Sequence, residues 1–173
     1  MRYNKTNQNT LGFTLIEILL TSALVAVVGT GIFIALDRYQ FYRNLDLDAR
    51  SVSIYLSDAQ ERSLTQEIDS TGNSPLWGVR LTNTSDSTNY FELITRPNTS
   101  GSPTITPVKR VLLRRGVQFL NPTVDQSSYV LFEPLTGIPT NDSALQVTLG
   151  LTSNSNATRT ITIDLQNGKI KLE

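Results

Sequence analysis

Few residue types in this chain are able to support catalytic chemistry. The 173-residue sequence contains no His and no Cys. Thiol catalysis, imidazole catalysis, disulfide bonds and the usual zinc, copper and haem ligands are therefore excluded. Ser and Thr are abundant, but a hydrolase has no base here to activate a hydroxyl, and no G-x-S-x-G motif occurs. We predict that the protein is not an enzyme and uses no cofactor.

The carboxylates of the C-terminal half are scattered along the chain. Asp125, Asp142 and Asp164 lie far apart, and none of them belongs to an Asp-x-Asp pair. Calcium sites draw several oxygen ligands from closely spaced acids. No metal site is therefore predicted.

Four cations form the densest charge cluster, and they are Lys109, Arg110, Arg114 and Arg115. One interpretation is a candidate nucleic-acid contact, because clustered Lys and Arg bind phosphates. The other is the solvated face of a strand. The whole chain balances 15 basic against 15 acidic residues, and few aromatics interleave with the cluster. Both observations favour the solvated face.

The carboxylate in the most unusual setting is Glu17. It lies within residues 13–36, an apolar run that carries no other charge. At about 1.5 Å per residue, a helix over this run spans about 36 Å, which is enough to cross a bilayer. An ionised carboxylate inside such a helix is costly and is usually kept for function.

The residues before this run predict its orientation. Residues 1–12 are hydrophilic and carry Arg2 and Lys5. Such charges keep the N-terminus on the cytoplasmic side and place the remainder of the chain outside. A secretory signal peptide has an apolar core of about 7–15 residues, which is shorter than this run. A plain signal anchor, with Glu17 incidental, is the other alternative.

The sequence LGFTLIE, residues 11–17, resembles the prepilin-type signal of type IV pilins and type II secretion pseudopilins. The resemblance implies that a prepilin peptidase cleaves between Gly12 and Phe13 and that Phe13 is then N-methylated. It also implies that Glu17 sets the register of assembly by pairing with the amino terminus of a neighbouring subunit. The implied partners are the peptidase, other pilin-like subunits bound through the N-terminal helix, the inner-membrane assembly platform and membrane lipid.

Gly29 and Gly31 interrupt the apolar run. Each glycine costs about 0.8–1 kcal/mol relative to Ala in a helix interior. Small residues allow close packing of membrane helices. The resemblance to pilins offers a second interpretation, in which these residues give the helix flexibility during assembly. The two interpretations are compatible.

Helical periodicity continues beyond the run. Apolar residues recur at spacings of three and four, and they are Leu45, Ala49, Val52, Leu56 and Ala59. The charged residues between them are predicted to form a solvated face, and they are Asp46, Asp48, Arg50, Asp58, Glu61 and Arg62. We predict one helix from about Phe13 to Gln66, membrane-spanning over residues 13–36 and amphipathic over residues 37–68.

The remaining chain, residues 69–173, reads as short strands. They are predicted at residues 76–82, 90–95, 108–120, 129–133, 145–151 and 160–166, and residues 108–120 form either a strand pair or one strand broken at Gly116. Asn167 and Gly168 predict a two-residue type I′ turn into a last strand at residues 169–173, with Leu165 on the buried face. The predicted fold is α+β, with one long N-terminal helix packed on an antiparallel sheet or small β-sandwich.

The order of these segments carries a second resemblance. With FEPLTG at residues 132–137 and NGKI at residues 167–170, the chain is similar to the GspH/FimT group of minor pseudopilins and minor pilins. The resemblance implies a single-pass protein of the cytoplasmic (inner) membrane whose C-terminal domain lies outside. It also implies later assembly into a type II secretion pseudopilus or type IV pilus, in support of protein secretion or pilus assembly. The alternative is a DNA-binding minor pilin of an uptake pilus.

Overall fold

The computed structural model describes residues 14–65, 74–86, 88–97, 104–140 and 144–173, with only the backbone of Ser155. Internal contacts divide the chain into two units, Met1–Tyr39 and Gln40–Glu173. The first unit contains the apolar run. The second contains the amphipathic part of the helix and all the strands.

One helix, α1, covers Leu15–Leu64. The prediction of a single helix through the apolar run and the amphipathic stretch is confirmed over the described residues. The predicted apolar stripe is buried, and each of its members is at most 1% exposed: Leu45, Ala49, Val52, Leu56 and Ala59. Their spacing therefore marks the face that the strands cover.

The predicted solvated face of this helix is wrong at one residue. Asp48 is only 2% exposed. It lies three residues after Leu45 and four before Val52, so it falls on the buried stripe. A neighbouring loop supplies the hydrogen bonds that its carboxylate needs. The predicted local charge pairing is confirmed at Arg62, whose Nε lies 3.0 Å from Asp58 Oδ1.

In the described part of the chain, eight strands form two antiparallel sheets. In chain order they are β1 (Leu76–Asn83), β2 (Tyr90–Arg96), β3 (Thr106–Leu112), β4 (Val117–Asn121), β5 (Gln126–Phe132), β6 (Gln146–Leu151), β7 (Asn154–Ile163) and β8 (Ile170–Leu172). The first sheet has the order β3-β2-β1-β5 and the second has the order β4-β6-β7-β8. The α+β fold class is confirmed.

Strand β1 shows why the sheets have two different faces. Trp77, Val79 and Leu81 alternate along it and are buried in the main core. Gly78, on the opposite face, is required by close packing, since a Cβ there would lie 2.1 Å from the Val130 carbonyl oxygen. Leu76 lies on that same face. Strands β1 and β2 pair with each other as an antiparallel hairpin.

The predicted break at Gly116 is confirmed, but the two strands that it separates within residues 108–120 do not pair with each other. Strand β3 belongs to the first sheet, and strand β4 belongs to the second. The chain changes sheets at Gly116, which has a φ of 85°. A Cβ on Gly116 would lie 2.4 Å from the ring of Phe41, so the turn fits closely against the helix.

The predicted type I′ turn is also wrong. Such a turn needs positive φ at both central residues, but Gly168 has a φ of 66° and Asn167 is not among the described residues with positive φ. The turn begins earlier because the Asp164 carboxylate accepts a hydrogen bond from Gln166 N at 2.8 Å. Strand β7 therefore ends at Ile163, and Leu165 lies exposed in the turn.

The helix stripe and the inner faces of both sheets form one apolar core. A smaller buried cluster lies on the other face of the first sheet and consists of Leu76, Ile94 and Leu131. Burial of a large apolar side chain contributes about 1.5–3 kcal/mol. The main core therefore attaches the second part of α1 to the strands.

Gln60 fixes the C-terminal end of the helix to two loops. Its Nε2 atom donates to the carbonyl oxygens of Gly137 at 2.9 Å and Gly168 at 3.0 Å. The Leu135 amide donates to the Ser63 carbonyl oxygen at 3.0 Å, which satisfies one of the last carbonyls of the helix. One side-chain amide thus joins three separate segments.

Candidate functional site

The apolar helix half, defined here as residues 15–36 of α1, is a large exposed apolar surface. Its large side chains are between 53% and 78% exposed, and they occur on every side of the helix. By length and composition, this is a helix that could cross a membrane. Since each Å² of exposed apolar surface costs about 25 cal/mol in water, exposure of this surface to water is unfavourable.

The hydroxyl groups within this surface are satisfied by the helix itself. Thr21 Oγ1 donates to the Glu17 carbonyl oxygen at 2.9 Å, and Thr30 Oγ1 donates to the Ala26 carbonyl oxygen at 2.8 Å. Ser22 Oγ donates to the Leu19 carbonyl oxygen at 2.9 Å. Such bonds remove the cost of placing these hydroxyls in an apolar medium.

Glu17 lies in the first turn of α1, where it forms a capping box with Thr14. Glu17 N donates to Thr14 Oγ1 at 3.3 Å, and Thr14 N donates to Glu17 Oε2 at 3.4 Å. The carboxylate also lies at the positive end of the helix dipole. The role of Thr14 is not among the predictions from the sequence, although the spacing Thr-x-x-Glu is the usual signal for this motif.

Of the other predicted residues of the N-terminal site, the structure describes Gly29 and Gly31 but not Gly12 and Phe13. Cleavage after Gly12 and methylation of Phe13 therefore stay predictions. The helix continues through Gly29 and Gly31, and a Cβ on either would meet no atom within 4 Å. Both glycines therefore leave room for the close approach of another helix.

The structure does not bring the four cations of the basic cluster together on one face. Lys109 and Arg110 are neighbours in β3, so their side chains project to opposite faces of the sheet. Lys109 Nζ lies 5.3 Å from the centroid of the Tyr55 ring, next to the helix. Arg110 lies on the other face, with its guanidinium 4.2 Å from the Tyr90 ring.

Arg110 also contributes to a buried carboxylate site. The Glu92 side chain is only 1% exposed and receives hydrogen bonds from Arg80 and from Arg110 Nε, the latter at 2.6 Å. Burial alone raises the pKa of Glu92, but the hydrogen bonds from Arg110 and Arg80 outweigh it, so the pKa lies below 4.5. Glu92 therefore stays ionised between two cations.

The other two residues of the cluster, Arg114 and Arg115, lie in the loop between β3 and β4 and bond to the helix. Arg114 donates to Asp48 through its backbone amide at 2.8 Å and through its guanidinium. Burial raises the pKa of Asp48 above 3.8, and the bonds from Arg114 only partly offset this. The carbonyl oxygen of Arg115 accepts from Asn44 Nδ2 at 3.3 Å. The loop is thereby attached to the helix.

The scattered acids have local structural roles where they are described. Asp125 Oδ1 accepts from Ser85 N at 3.0 Å, and Asp164 caps the turn after β7. Asp142 lies outside the described residues. Within the described part of the chain, no three His, Cys, Asp or Glu side chains are grouped as metal ligands.

Comparison of the chain with protein-family models, with curated proteins and with solved structures finds no match. The geometry itself defines the class as an α+β protein with a helix long and apolar enough to span a membrane. The features of this chain that point to a function are the apolar helix half and Glu17.

Proposed function

We propose that the chain is the precursor of a pilin-like structural subunit of a type II secretion pseudopilus or type IV pilus. The apolar helix half carries this proposal. It is an uninterrupted helix, exposed and apolar on every side, with one carboxylate in its first turn. Beyond Tyr39 the same helix supplies the buried stripe of a β-rich domain.

An apolar surface of this kind suits two successive environments. In the precursor, lipid surrounds it and the helix is a single membrane anchor with a cytoplasmic N-terminus. In the filament, the helices of other subunits replace the lipid. The hydroxyls bonded within the helix and the absence of further charges make the surface compatible with both environments.

Glu17 gives this packing a register. In the isolated chain its carboxylate is held by the Thr14 amide. Within a bundle of apolar helices an ionised carboxylate needs a cation, because an uncompensated charge is costly in a low-dielectric interior. In our proposal, cleavage after Gly12 creates that cation as the amino group of Phe13 on a neighbouring subunit. Only one axial offset between helices then matches the charges.

The first test is the processing of the full chain when it is produced together with a prepilin peptidase. Mass spectrometry of the mature protein is expected to show loss of residues 1–12 and one methyl group on Phe13. The variant Gly12→Leu is expected to keep its leader, whereas the control Gly31→Ala is expected to be processed normally. A wild-type chain that stays uncleaved, or is cleaved elsewhere, contradicts the proposal.

The second test separates the charge of Glu17 from its capping role. Glu17→Ala and Glu17→Gln are both expected to be inserted and cleaved but to be lost from sheared filaments in an assembling system. Gln can still form a capping box, so its failure isolates the charge. Thr14→Val weakens the cap by about 0.5–2 kcal/mol and keeps the charge, so it is expected to be incorporated. Incorporation of Glu17→Gln at wild-type levels contradicts charge pairing.

A further inference from the structure

The two edges of the first sheet differ in how the chain protects them. At one edge the residues after β5 cover it: Thr140 N donates to Leu131 O and Ala144 N donates to Tyr129 O, both at 2.8 Å. Phe132 and Pro139 add an isolated bridge. At the other edge lies β3, which among the described strands pairs with β2 alone. Six of the seven β3 residues are exposed.

Along this edge, some backbone groups of β3 point away from β2. Leu113 N donates to Asn89 O at 2.9 Å, which sets the phase of the ladder with β2. Since the direction of bonding alternates along an antiparallel strand, the N–H and C=O groups of Arg110 and Leu112 point away from β2. Within the described part of the chain, these groups have no backbone partner beyond the ladder.

The side chains on this edge define two faces. Leu112 is 62% exposed and lies on the outer face of the sheet, as Arg110 does. Lys109 projects to the opposite face. Val108 is 51% exposed and lies where the pairing with β2 is irregular. Pro107 and the irregularity in the pairing between Leu93 and Ile94 end the regular edge on one side. The edge is therefore residues 108–112, here named the β3 edge.

Charge decides which strand can be added to this edge. Two copies joined antiparallel through their β3 edges would bring Lys109 and Arg110 of one copy next to those of the other. Like charges placed opposite each other destabilise strand pairing, and proteins use such charges to prevent self-association of edges. An acidic strand meets no such repulsion. The charges of the edge thus disfavour a second copy and favour an acidic partner.

We propose that the β3 edge binds an extended segment of a partner protein that alternates apolar and acidic residues. The segment joins the first sheet as an added strand. Its apolar side chains pack beside Leu112, and its carboxylates lie on the face of Lys109. This surface is separate from the apolar helix half, so the inference does not depend on the proposed pilin-like role.

The test uses the full chain in detergent micelles and fluorescent peptides, with binding followed by anisotropy. The probe is a peptide of alternating Glu and Val, and it is compared with a peptide of alternating Lys and Val. A third peptide keeps the Glu and Val side chains but carries N-methyl groups on the amides of one edge. We expect the Glu-Val peptide to bind at least about ten-fold tighter than either comparison peptide, since both charge and backbone bonding are needed.

Variants of β3 supply the matched controls. Leu112→Ala and Leu112→Pro both remove the leucine side chain, but only Pro removes the outward N–H, which β2 does not use. Leu112→Pro is expected to bind the Glu-Val peptide about five-fold more weakly than Leu112→Ala, as for one lost hydrogen bond. Lys109→Glu is expected to reverse the preference between the acidic and basic peptides. Fluorescence of Trp77, the single tryptophan, verifies that each variant is folded.

Four results would overturn the inference. They are equal affinity for the acidic and basic peptides, retained binding of the N-methylated peptide, equal affinity of the Leu112→Pro and Leu112→Ala variants, and self-association that Leu112→Pro abolishes. The last result would show that a second copy occupies the β3 edge.

Discussion

The two halves of α1 belong to one helix but differ in whether their apolar side chains are buried. In residues 15–36 the apolar side chains point in all directions and are exposed. In the part that follows Tyr39, a single stripe from Leu45 to Ala59 is buried under the strands, whereas Leu47, Ile54 and Leu64 stay exposed. A narrow stripe is covered by the chain's own sheets, whereas an all-round apolar surface exceeds what those sheets cover. The distribution of apolar residues around the helix therefore indicates whether its partner lies within the chain or outside it.

The two halves also differ in how they satisfy an acidic side chain. Glu17 finds its hydrogen-bond donor three residues away, in its own capping box. Asp48 finds its donors on Arg114, which is 66 positions away in the chain. The first arrangement is available to an isolated helix. The second exists only in the folded domain, so it depends on tertiary structure.

Replacing one leucine in each half gives the largest expected contrast. Leu56→Ala removes a fully buried side chain, and the resulting cavity is expected to lower the free energy of unfolding by about 2–5 kcal/mol. Leu24→Ala removes an exposed side chain and is expected to change the free energy of unfolding by less than about 0.5 kcal/mol. Chemical denaturation followed by Trp77 fluorescence measures both. Equal effects of the two substitutions would show that the halves are not distinct in this way.

Two aspartates in the second half of α1 test whether burial determines how much an ion pair contributes to the free energy of unfolding. Asp48→Ala leaves the Arg114 amide without its acceptor and is expected to cost about 1–3 kcal/mol. Asp46→Ala breaks a half-exposed pair with Arg159 and is expected to cost at most about 1 kcal/mol. Thermal unfolding of both variants compares them. A larger loss for Asp46→Ala would contradict the burial argument.

Stability is expected to depend on pH through Glu92. Its pKa is below 4.5 in the folded domain, so the unfolded state binds more protons as the pH falls past that value. The contribution of Glu92 is complete above 4.5 and is lost as the pH falls through the folded pKa. Asp48 acts in the opposite sense, because its folded pKa is raised and protonation there favours the fold.

Unfolding midpoints measured from neutral to acidic pH test this prediction. The unfolding midpoint of the wild-type protein is expected to decrease once the pH is lowered below about 5. Glu92→Gln is expected to flatten the profile, and Asp48→Asn is expected to steepen it because the opposing group is gone. Unchanged profiles in both variants would show that neither carboxylate controls the response.

The smallest expected effects on the unfolding of the domain belong to the two glycines of the apolar helix half. Gly29→Ala and Gly31→Ala each stabilise the helix by about 0.8–1 kcal/mol, since their Cβ atoms enter open space. Amide exchange of the surrounding residues is expected to slow in micelles, with no change in the unfolding of the domain. An altered domain stability would mean that the two units are energetically coupled.

The features that follow from local patterns were predictable from the sequence. The stripe from Leu45 to Ala59 was predicted residue by residue, because helical spacing is a local property. The strands and the α+β class follow from alternation and turn residues in the same way. The division of residues 108–120 between two sheets was not predictable, because which strands pair is decided by contacts distant in sequence.

The candidate site was predictable to a similar extent. The unusual setting of Glu17 follows from hydropathy alone, and its cap with Thr14 is visible in the spacing of two residues. The cations near β3 are adjacent in sequence, yet alternation along the strand separates Lys109 from Arg110. The turn at Asn167 and Gly168 was misassigned because the Asp164 side chain competes for an earlier start.

The contacts of Gln60 have a consequence for the order of events during folding. Its side-chain amide reaches Gly168 across 108 positions of sequence, and closing so long a loop is entropically costly before other contacts form. The hairpin of β1 and β2, by contrast, needs only a short connection. We therefore expect the helix end to be secured late, after the turn that follows β7 has formed. Until then the junction stays open, which makes Gln60 a reporter of completed folding.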